Sequence, residues 1–158
     1  MTLRGLDELD RYILHELQQD AKETSSKEIA EAMAVSPSTV RKRIDRLEEK
    51  GVITGYQADV DYCKAGYQLH MQIACTAPIP DREELGRQAL DILGVVSVRE
   101  IATGEENLLV SVVAKDNDDL TRIAGELSAL GLVVSNEQLV RGEQFTPYQG
   151  FVKAEESP

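Results

Sequence analysis

The feature that most constrains this chain is a three-residue spacer between two short amphipathic segments. Ser25 is followed three residues later by Glu28, the spacing of a capping box, and apolar residues then recur at helical intervals. The spacer 34–36 ends in a serine and leads into Pro37, a pair that favours the start of a helix. Two helices joined by so few residues are typical of a helix-turn-helix.

A longer helix precedes this pair and short strands follow it. The apolar residues of the first helix recur at three- and four-residue steps: Leu6, Leu9, Ile13, Leu14 and Leu17. The third helix ends before Gly51, which we expect to be left-handed. We predict a helix-turn-helix domain over residues 1–51, then strands that form a wing and a linker over residues 52–66.

After Gly66 the order of elements becomes strand, helix, strand, strand, helix, strand. Apolar and polar residues alternate over 69–75, which predicts the first strand, and 104–107 make a turn between the two strands of a hairpin. This order is that of the ferredoxin-like βαββαβ motif. We therefore predict an α+β fold, with a ferredoxin-like domain over 67–142 and a tail over 143–158.

The helices of that domain are predicted from their capping residues. Asp81 and Glu84 have the spacing of a capping box, and their helix carries apolar residues to Leu93, before Gly94. The helices should cover one face of an antiparallel sheet. The other face should hold uncovered apolar residues, for which a second copy of the sheet is the simplest cover. We expect a homodimer and leave an octamer open.

Charge is divided unevenly along the chain. The 17 basic and 28 acidic side chains give a net charge of −11, normally a poor balance for binding nucleic acid. Residues 1–65 hold 10 basic and 13 acidic groups, whereas residues 66–158 hold 7 and 15. Four cations lie within six positions of the third helix: Arg41, Lys42, Arg43 and Arg46. The sequence thus contains a local positive patch on an acidic protein.

The outward face of the third helix carries groups that can contact DNA. At about 100° per residue, the face opposite its apolar residues carries Ser38, Thr39, Lys42, Asp45 and Arg46, with Arg41 and Arg43 on the flanks. Hydroxyls and cations reach base edges and phosphates when such a helix lies in a major groove. The alternative is an ordinary solvated charged face, and the tight turn before the helix favours DNA.

Several short motifs carry a resemblance to a known family: Leu6-Asp7, Asp10-Arg11, Ile13-Leu14, Val35-Ser36, Thr39-Val40, Arg43-Ile44, Arg46-Leu47-Glu48, Gly51-Val52-Ile53 and Gly55-Tyr56. With them the chain resembles the Lrp/AsnC, or feast/famine, family of transcription regulators. That resemblance covers essentially the whole chain. It implies a helix-turn-helix joined to a ferredoxin-like domain that dimerises and often binds amino acids.

The resemblance implies a set of DNA-contacting residues: Ser36, Ser38, Thr39, Arg41, Lys42, Arg43 and Arg46. For Arg43 a structural role, pairing with acids such as Asp10 or Glu48, is an equal alternative. The chain has Ala34 where the family's turn usually carries glycine. That departure costs about 1 kcal/mol if the backbone angle φ is positive.

The resemblance also implies an effector site at the turn between the second and third strands of the regulatory domain. The family usually has glycine, two variable residues and aspartate there, whereas this chain has Gly104-Glu105-Glu106-Asn107. An amide thus replaces the acid: Asn107 can still accept from an effector's ammonium but brings no charge to it, and Glu105 or Glu106 could supply that charge instead. We add Thr103, Ser135 and Gln138 to this predicted site. Gln138 corresponds to a family threonine near the last strand.

Other chemistry has little support in the sequence. The histidines and cysteines lack the spacing of a zinc site: His15, His70, Cys63 and Cys75. No nucleophile has a local base, so we predict no catalytic residue, no metal, no cofactor and no enzymatic activity. No apolar run approaches the ~20 residues that span a bilayer, and no signal peptide is evident, so we expect a cytoplasmic protein without a membrane partner.

Taken together, the sequence predicts a sequence-specific DNA-binding transcription regulator that acts on double-stranded DNA as a dimer or higher oligomer, modulated by an amino acid or another small effector. One alternative is an amino-acid sensor in which DNA binding is secondary. Another is an architectural protein of low sequence specificity. The tail leaves two alternatives open, since Phe145, Tyr148 and Phe151 could pack on a partner subunit or remain free.

Overall fold

The computed structural model describes residues 5–153 and divides the chain into two compact units. The first unit combines the chain up to Ala58 with the chain from Gln144 onwards, and the second unit spans Asp59–Glu143. The division therefore lies before Gly66, the predicted boundary. Residues just before Gly66 belong with the second unit because the ring of Tyr62 packs edge-on against His70, with 5.3 Å between ring centroids.

Three helices build the first unit: α1 (Glu8–Gln19), α2 (Ser26–Met33) and α3 (Pro37–Glu49). The side chains of Asp7, Ser25 and Ser36 cap them, each accepting a hydrogen bond from the backbone N–H three residues on. The predicted helix-turn-helix is confirmed, and its caps lie where the serine spacing places them.

One apolar cluster holds these helices together. Its buried members come from all three: Leu9, Ile13, Leu14, Ile29, Ala30, Val40 and Leu47. The turn between α2 and α3 passes through Ala34 at a φ of 53° and a ψ of 44°, the left-handed conformation in which glycine is usual. The chain therefore accepts about 1 kcal/mol of backbone strain at this turn.

The prediction of strands over residues 52–66 is wrong, since that segment, all of it described, contains none. Ile53 packs against the apolar cluster of the helices, but Val52 and Val60 are 43% and 52% exposed, so the segment lacks the continuous buried face against which a strand packs. The hydroxyl of Tyr56 donates instead to Glu48 at the end of α3, at 2.9 Å. The segment is an irregular connector without a wing of strands.

The second unit contains a four-stranded antiparallel sheet made of β1 (Leu69–Thr76), β2 (Val95–Glu100), β3 (Leu108–Ala114) and β4 (Val133–Leu139). The strands lie in the order β2-β3-β1-β4, and each neighbouring pair is antiparallel. Helix α4 (Arg82–Ala89) follows β1 and helix α5 (Asn117–Ala129) follows β3. The predicted ferredoxin-like βαββαβ order is confirmed.

Helix α4 is shorter than the sequence predicts. A 3₁₀ turn, Ile79–Asp81, precedes it, and the side chain of Asp81 makes no capping hydrogen bond within the described chain. Leu93, predicted to point inward, lies beyond the helix and is 82% exposed. The chain turns sharply at Gly94, where a Cβ would come within 2.5 Å of the Ile123 side chain, so the approach to α5 requires glycine and ends the helical path.

The two faces of the sheet differ in composition. The helix-covered face and the helices share one core: Met71, Ile73, Cys75, Ala77, Ala89, Leu108, Val110, Val112, Ala114, Ile123, Leu127 and Leu132. The other face is largely polar, because His70, Gln72 and Ser111 alternate with those core residues. Apolar residues predicted for this face are nevertheless present, since Ala74, Leu109 and Val113 lie there among the polar side chains; their cover by a second copy stays a prediction.

Candidate nucleic-acid interface and effector cleft

Helix α3 presents a polar, exposed row of side chains to solvent. Ser38, Arg41, Lys42 and Asp45 are exposed, whereas Val40 and Leu47 on the opposite side are buried. These side chains recur at three- and four-residue intervals, so they lie along one side of the helix. The row offers one hydroxyl and two cations on a single helix, and a major groove of DNA is wide enough to admit an α-helix.

Three hydroxyls cluster where α3 begins. The Oγ of Ser36 lies 3.0 Å from the Oγ of Ser38 and 2.8 Å from the Oγ1 of Thr39. It also accepts from the backbone N–H of Thr39 at 3.2 Å. The cap thus fixes the position of three polar groups at the end of the helix that carries positive partial charge.

Two of the predicted DNA-contacting cations are held inside the first unit. Arg43 donates to Oδ1 of Asp10 at 3.1 Å and also pairs with Asp7, while Arg46 donates to Oδ2 of Asp10 at 2.7 Å. The side chain of Asp10 is 0% exposed. Arg43 thus makes the ion pairs that its structural alternative predicts, with Asp7 and Asp10 as partners and not Glu48, and its contact with DNA stays a prediction. Arg46, predicted to face DNA, lies in the same ion-pair network.

The network shifts the pKa of two of its groups. The pKa of Asp7 lies below its usual 3.8, first because its carboxylate accepts from the backbone N–H of Asp10, and second because it accepts from Arg43. The pKa of Arg43 is raised above its usual value by hydrogen bonds to Asp7 and then to Asp10. Both shifts stabilise the charged forms, so the ion pairs persist through the neutral range.

A cleft of about 520 Å³ opens in the second unit, beside the turn between β2 and β3. Six residues line it: Thr76, Gly104, Glu105, Glu106, Val133 and Ser135. The Oγ of Ser135 lies 2.7 Å from Oε1 of Glu106 and 3.1 Å from the carbonyl oxygen of Ala74. The hydroxyl of Thr76 donates to the carbonyl of Glu105 at 3.0 Å. Carboxylates and hydroxyls thus converge on one opening.

Asn107 was predicted to face an effector, and the structure places it elsewhere. It is 5% exposed and does not line the cleft. Its side-chain oxygen accepts from the N–H of Ala77 and its side-chain amide donates to the carbonyl of Ala77, both at 2.8 Å. Because its side-chain oxygen and its side-chain amide both bond to Ala77, the buried Asn107 holds the end of β1 against the turn.

The other predicted effector residues divide between the cleft and its surroundings. Gly104, Glu105, Glu106 and Ser135 line the cleft, whereas Thr103 and Gln138 do not; Gln138 lies further along β4, opposite Gln72. Thr76 and Val133 were missed. These two are register partners at the end of the β1–β4 pair, so the pairing of the strands, which the sequence does not give, brings them to the opening.

Two further observations concern the described chain as a whole. Within residues 5–153, no helix is long and apolar enough to cross a membrane. In the same range, no group of three or more His, Cys, Asp or Glu side chains is placed to hold a metal ion.

Comparison with known proteins places the two units in context. Residues 6–54 match the family of winged helix-turn-helix DNA-binding domains. The HTH-type transcriptional regulator LrpA of Pyrococcus abyssi is 36% identical over 120 residues, which cover 75% of this chain and 82% of that protein. Among solved structures, that of MtbAldR has a TM-score of 0.74 at 28% identity, covering 89% of this chain and 97% of that one.

A second solved structure carries a ligand. It is a feast or famine regulatory protein from Mycobacterium tuberculosis complexed with L-methionine. Its TM-score is 0.73 at 25% identity, and the match covers 90% of this chain and 96% of that chain. The similarity to these structures extends over both units.

Proposed function

The chain belongs to the Lrp/AsnC family of transcriptional regulators, and we propose that it binds specific DNA sites through the exposed row of α3. The observation that carries this proposal is that Ser38, Arg41 and Lys42 project from a helix whose other side is anchored in the core. Hydroxyl and cationic side chains on such a helix read base edges and bind phosphates. The hydroxyls of Ser36 and Thr39 would meet the DNA backbone at the start of the helix.

We propose that two copies of the chain act together, so that two α3 helices read two half-sites. Successive major grooves on one side of DNA lie about 34 Å apart, which a single α3 cannot span. Val133 and Leu139 on the edge strand β4 are 64% and 62% exposed, and pairing with a second copy would cover them. Light scattering of the purified protein tests this, and a monomer at micromolar concentration would contradict it.

We further propose that the cleft of the second unit binds an amino-acid effector. A ligand's ammonium would pair with the carboxylate of Glu105 or Glu106, and the hydroxyls of Thr76 and Ser135 would accept or donate further hydrogen bonds. The methionine complex of the similar regulator supports this class of ligand. Since the matched proteins are regulators, we assign the cleft a binding role and no catalytic one.

The DNA-binding proposal is tested by fluorescence anisotropy on the protein's own upstream DNA and on a scrambled duplex, over a salt series. We expect selective binding of the upstream DNA, and about tenfold weaker selective binding after Lys42→Ala. Lys64→Ala, which removes an exposed lysine of the second unit, is the matched control and should change little. Equal affinity for both duplexes would favour an architectural protein of low specificity.

The effector proposal is tested by thermal-shift measurements with each of the twenty amino acids. A ligand that binds only the folded state raises the unfolding temperature, by an amount that grows with its concentration. We expect at least one amino acid to do so, and Glu106→Gln to reduce the effect. Glu83→Gln, at an exposed position of α4, is the control. No shift with any amino acid would overturn this part of the proposal and leave DNA binding untouched.

A further inference from the structure

Asp10 is a fully buried carboxylate, which proteins tolerate only when it is paired and hydrogen-bonded. Its two oxygens are divided between two guanidinium groups, Oδ1 with Arg43 and Oδ2 with Arg46. Asp10 lies in the first turn of α1, and the two arginines lie three positions apart on α3. One carboxylate therefore fixes the rotation of α3 about its axis at two points.

The same geometry restricts what Arg43 and Arg46 can do at DNA. The side chains of Arg43 and Arg46 are 26% and 41% exposed, and the Nε of Arg46 is shielded from solvent. If either guanidinium moved to a phosphate, the buried carboxylate would lose a charged partner inside the first unit. Breaking one side of a buried ion pair is strongly destabilising. Arg41 and Lys42, by contrast, are exposed on the outer side of α3.

We infer that Asp10 is a positioning residue for DNA recognition, which holds α3 through Arg43 and Arg46 and leaves the phosphate contacts to Arg41 and Lys42. This inference rests on the proposed DNA binding by α3. It removes Arg43 and Arg46 from the set of direct DNA contacts and adds a carboxylate that never touches DNA. It also limits the number of phosphates that each helix can neutralise.

The inference predicts an effect opposite in sign to simple electrostatics. Replacing Asp10 by asparagine removes a negative charge from the DNA-binding unit, and general attraction to DNA would then increase. If Asp10 sets the orientation of α3, the same change misaligns the exposed row and weakens specific binding. We expect about a tenfold loss, the size that follows from losing one good base contact. Far-ultraviolet circular dichroism establishes that the variant is folded at the assay temperature.

Glu31→Gln is the matched control, since it removes one carboxylate from an exposed position of α2, outside the row of α3 that is proposed to contact DNA. It should leave specific affinity unchanged or raise it. A folded Asp10→Asn variant that binds as tightly as the wild type, or more tightly, would overturn the inference. If Asp10→Asn does not fold, the salt dependence of the Arg46 variants tests the inference instead.

Salt dependence separates a positioning arginine from a phosphate contact. Each phosphate contact contributes about −0.9 to the slope of log affinity against log salt. Lys42→Gln should therefore reduce the magnitude of the slope by about 0.9, whereas Arg46→Gln should lower affinity and leave the slope unchanged. Arg46→Lys should lose as much as Arg46→Gln, because lysine keeps the charge but cannot reproduce the guanidinium geometry. Near wild-type binding by Arg46→Lys, with a reduced slope for Arg46→Gln, would contradict the inference.

Failure of the inference can be told apart from failure of the proposed function. A wild-type protein that binds neither duplex contradicts the proposed function, and with it the role of Asp10 at DNA. A wild-type protein that binds selectively, with Asp10→Asn unaffected, contradicts the inference alone.

Discussion

Replacing Asn107 tests whether this residue is structural, as its contacts indicate, or belongs to a ligand site. Asn107→Ala removes two hydrogen bonds of 2.8 Å to Ala77 and leaves both the N–H and the carbonyl of Ala77 without that partner. Ala77 is 3% exposed, so water cannot replace the amide freely. An unsatisfied buried polar group costs about 1–3 kcal/mol, which gives a loss of about 2–6 kcal/mol for the pair.

Thermal unfolding followed by circular dichroism measures this loss. A domain of 60–100 residues shifts its midpoint by roughly 4–8 °C per kcal/mol, so the second unit should unfold at least ~8 °C lower. Asn136→Ala, at an exposed position of β4, should leave the midpoint within about 4 °C, since surface substitutions usually cost less than about 0.5 kcal/mol. A wild-type midpoint in Asn107→Ala would refute the reasoning and return Asn107 to the list of ligand-binding candidates.

Asn107→Asp, which restores the residue usual at this turn in the family, gives a prediction with a pH sign. A carboxylate can still accept from the N–H of Ala77, but it cannot donate to the carbonyl 2.8 Å away unless it is protonated. Folding then favours the protonated form and raises the folded-state pKa of the new group above its unfolded value of about 3.9. The variant should therefore be closest to wild-type stability below about pH 4 and lose stability as the pH rises.

Three further predictions concern the tail, the cysteines and the acid limit. Phe151→Ala should destabilise the first unit by about 1–2 kcal/mol in chemical unfolding. This is less than the ~3–5 kcal/mol lost at a fully buried phenylalanine, because Phe151 is half-buried against that core. Phe145→Ala, at a residue 75% exposed, should change the free energy of unfolding little. In the folded protein only the exposed Cys63 should react rapidly with Ellman's reagent near pH 8. Cys75 should not react, because burial raises its pKa to about 11, and two rapidly reacting thiols would contradict this. Asp7→Asn should remove part of the acid sensitivity of unfolding below about pH 3.8. The lowered pKa of Asp7 contributes stability that is present above the pKa of the unfolded state and is lost as the pH falls. Identical acid transitions in the wild type and the variant would argue against this role.

The parts of the fold that the sequence predicts correctly depend on contacts between near neighbours. The caps at Ser25 and Ser36 bond to residues three positions away, and the left-handed Gly51 ends α3 locally. Such interactions leave a spacing that can be counted in the sequence. The helix-turn-helix and the order of strands and helices were predictable for this reason.

The parts that were missed depend on residues far apart in the chain. Arg46 meets Asp10 across 36 positions, and Asn107 meets Ala77 across 30. Each of these side chains carries ordinary polar groups, and only the packing of elements decides whether they face a partner within the protein or a ligand. The helical spacing that places Arg46 on the polar side of α3 is correct, but it cannot show that α1 lies within reach of the side chain.

The C-terminal tail combines residues that the sequence marks out with a distant contact that it does not. Its aromatic residues were recognised, with packing on a partner subunit or a free tail as the alternatives; in the structure Phe145 is 75% exposed, whereas Phe151 packs against the helices of its own chain. A 3₁₀ turn at Gln149–Phe151 brings Phe151 to the apolar cluster of the helices. The ring of Tyr148 packs edge-on against the ring of Phe151, with 5.0 Å between the ring centroids. The backbone N–H of Tyr148 donates to the side-chain oxygen of Gln18 in α1 at 3.0 Å. This last contact spans 130 positions, and no local pattern marks it.

The return of the tail to the helices bears on how the protein is made. A ribosome adds about 5–20 residues per second, and domains generally fold in the order in which they emerge. Here the helices are translated first, yet Phe151, which packs against their cluster, and Tyr148, which packs on Phe151, emerge after the whole second unit. The DNA-binding unit is thus the first to be started and the last to be finished. A nascent chain whose Phe151 has not yet left the ribosome would hold α3 on an incomplete core. A chain that stops before Phe151 would have an intact sheet but a less stable DNA-binding unit.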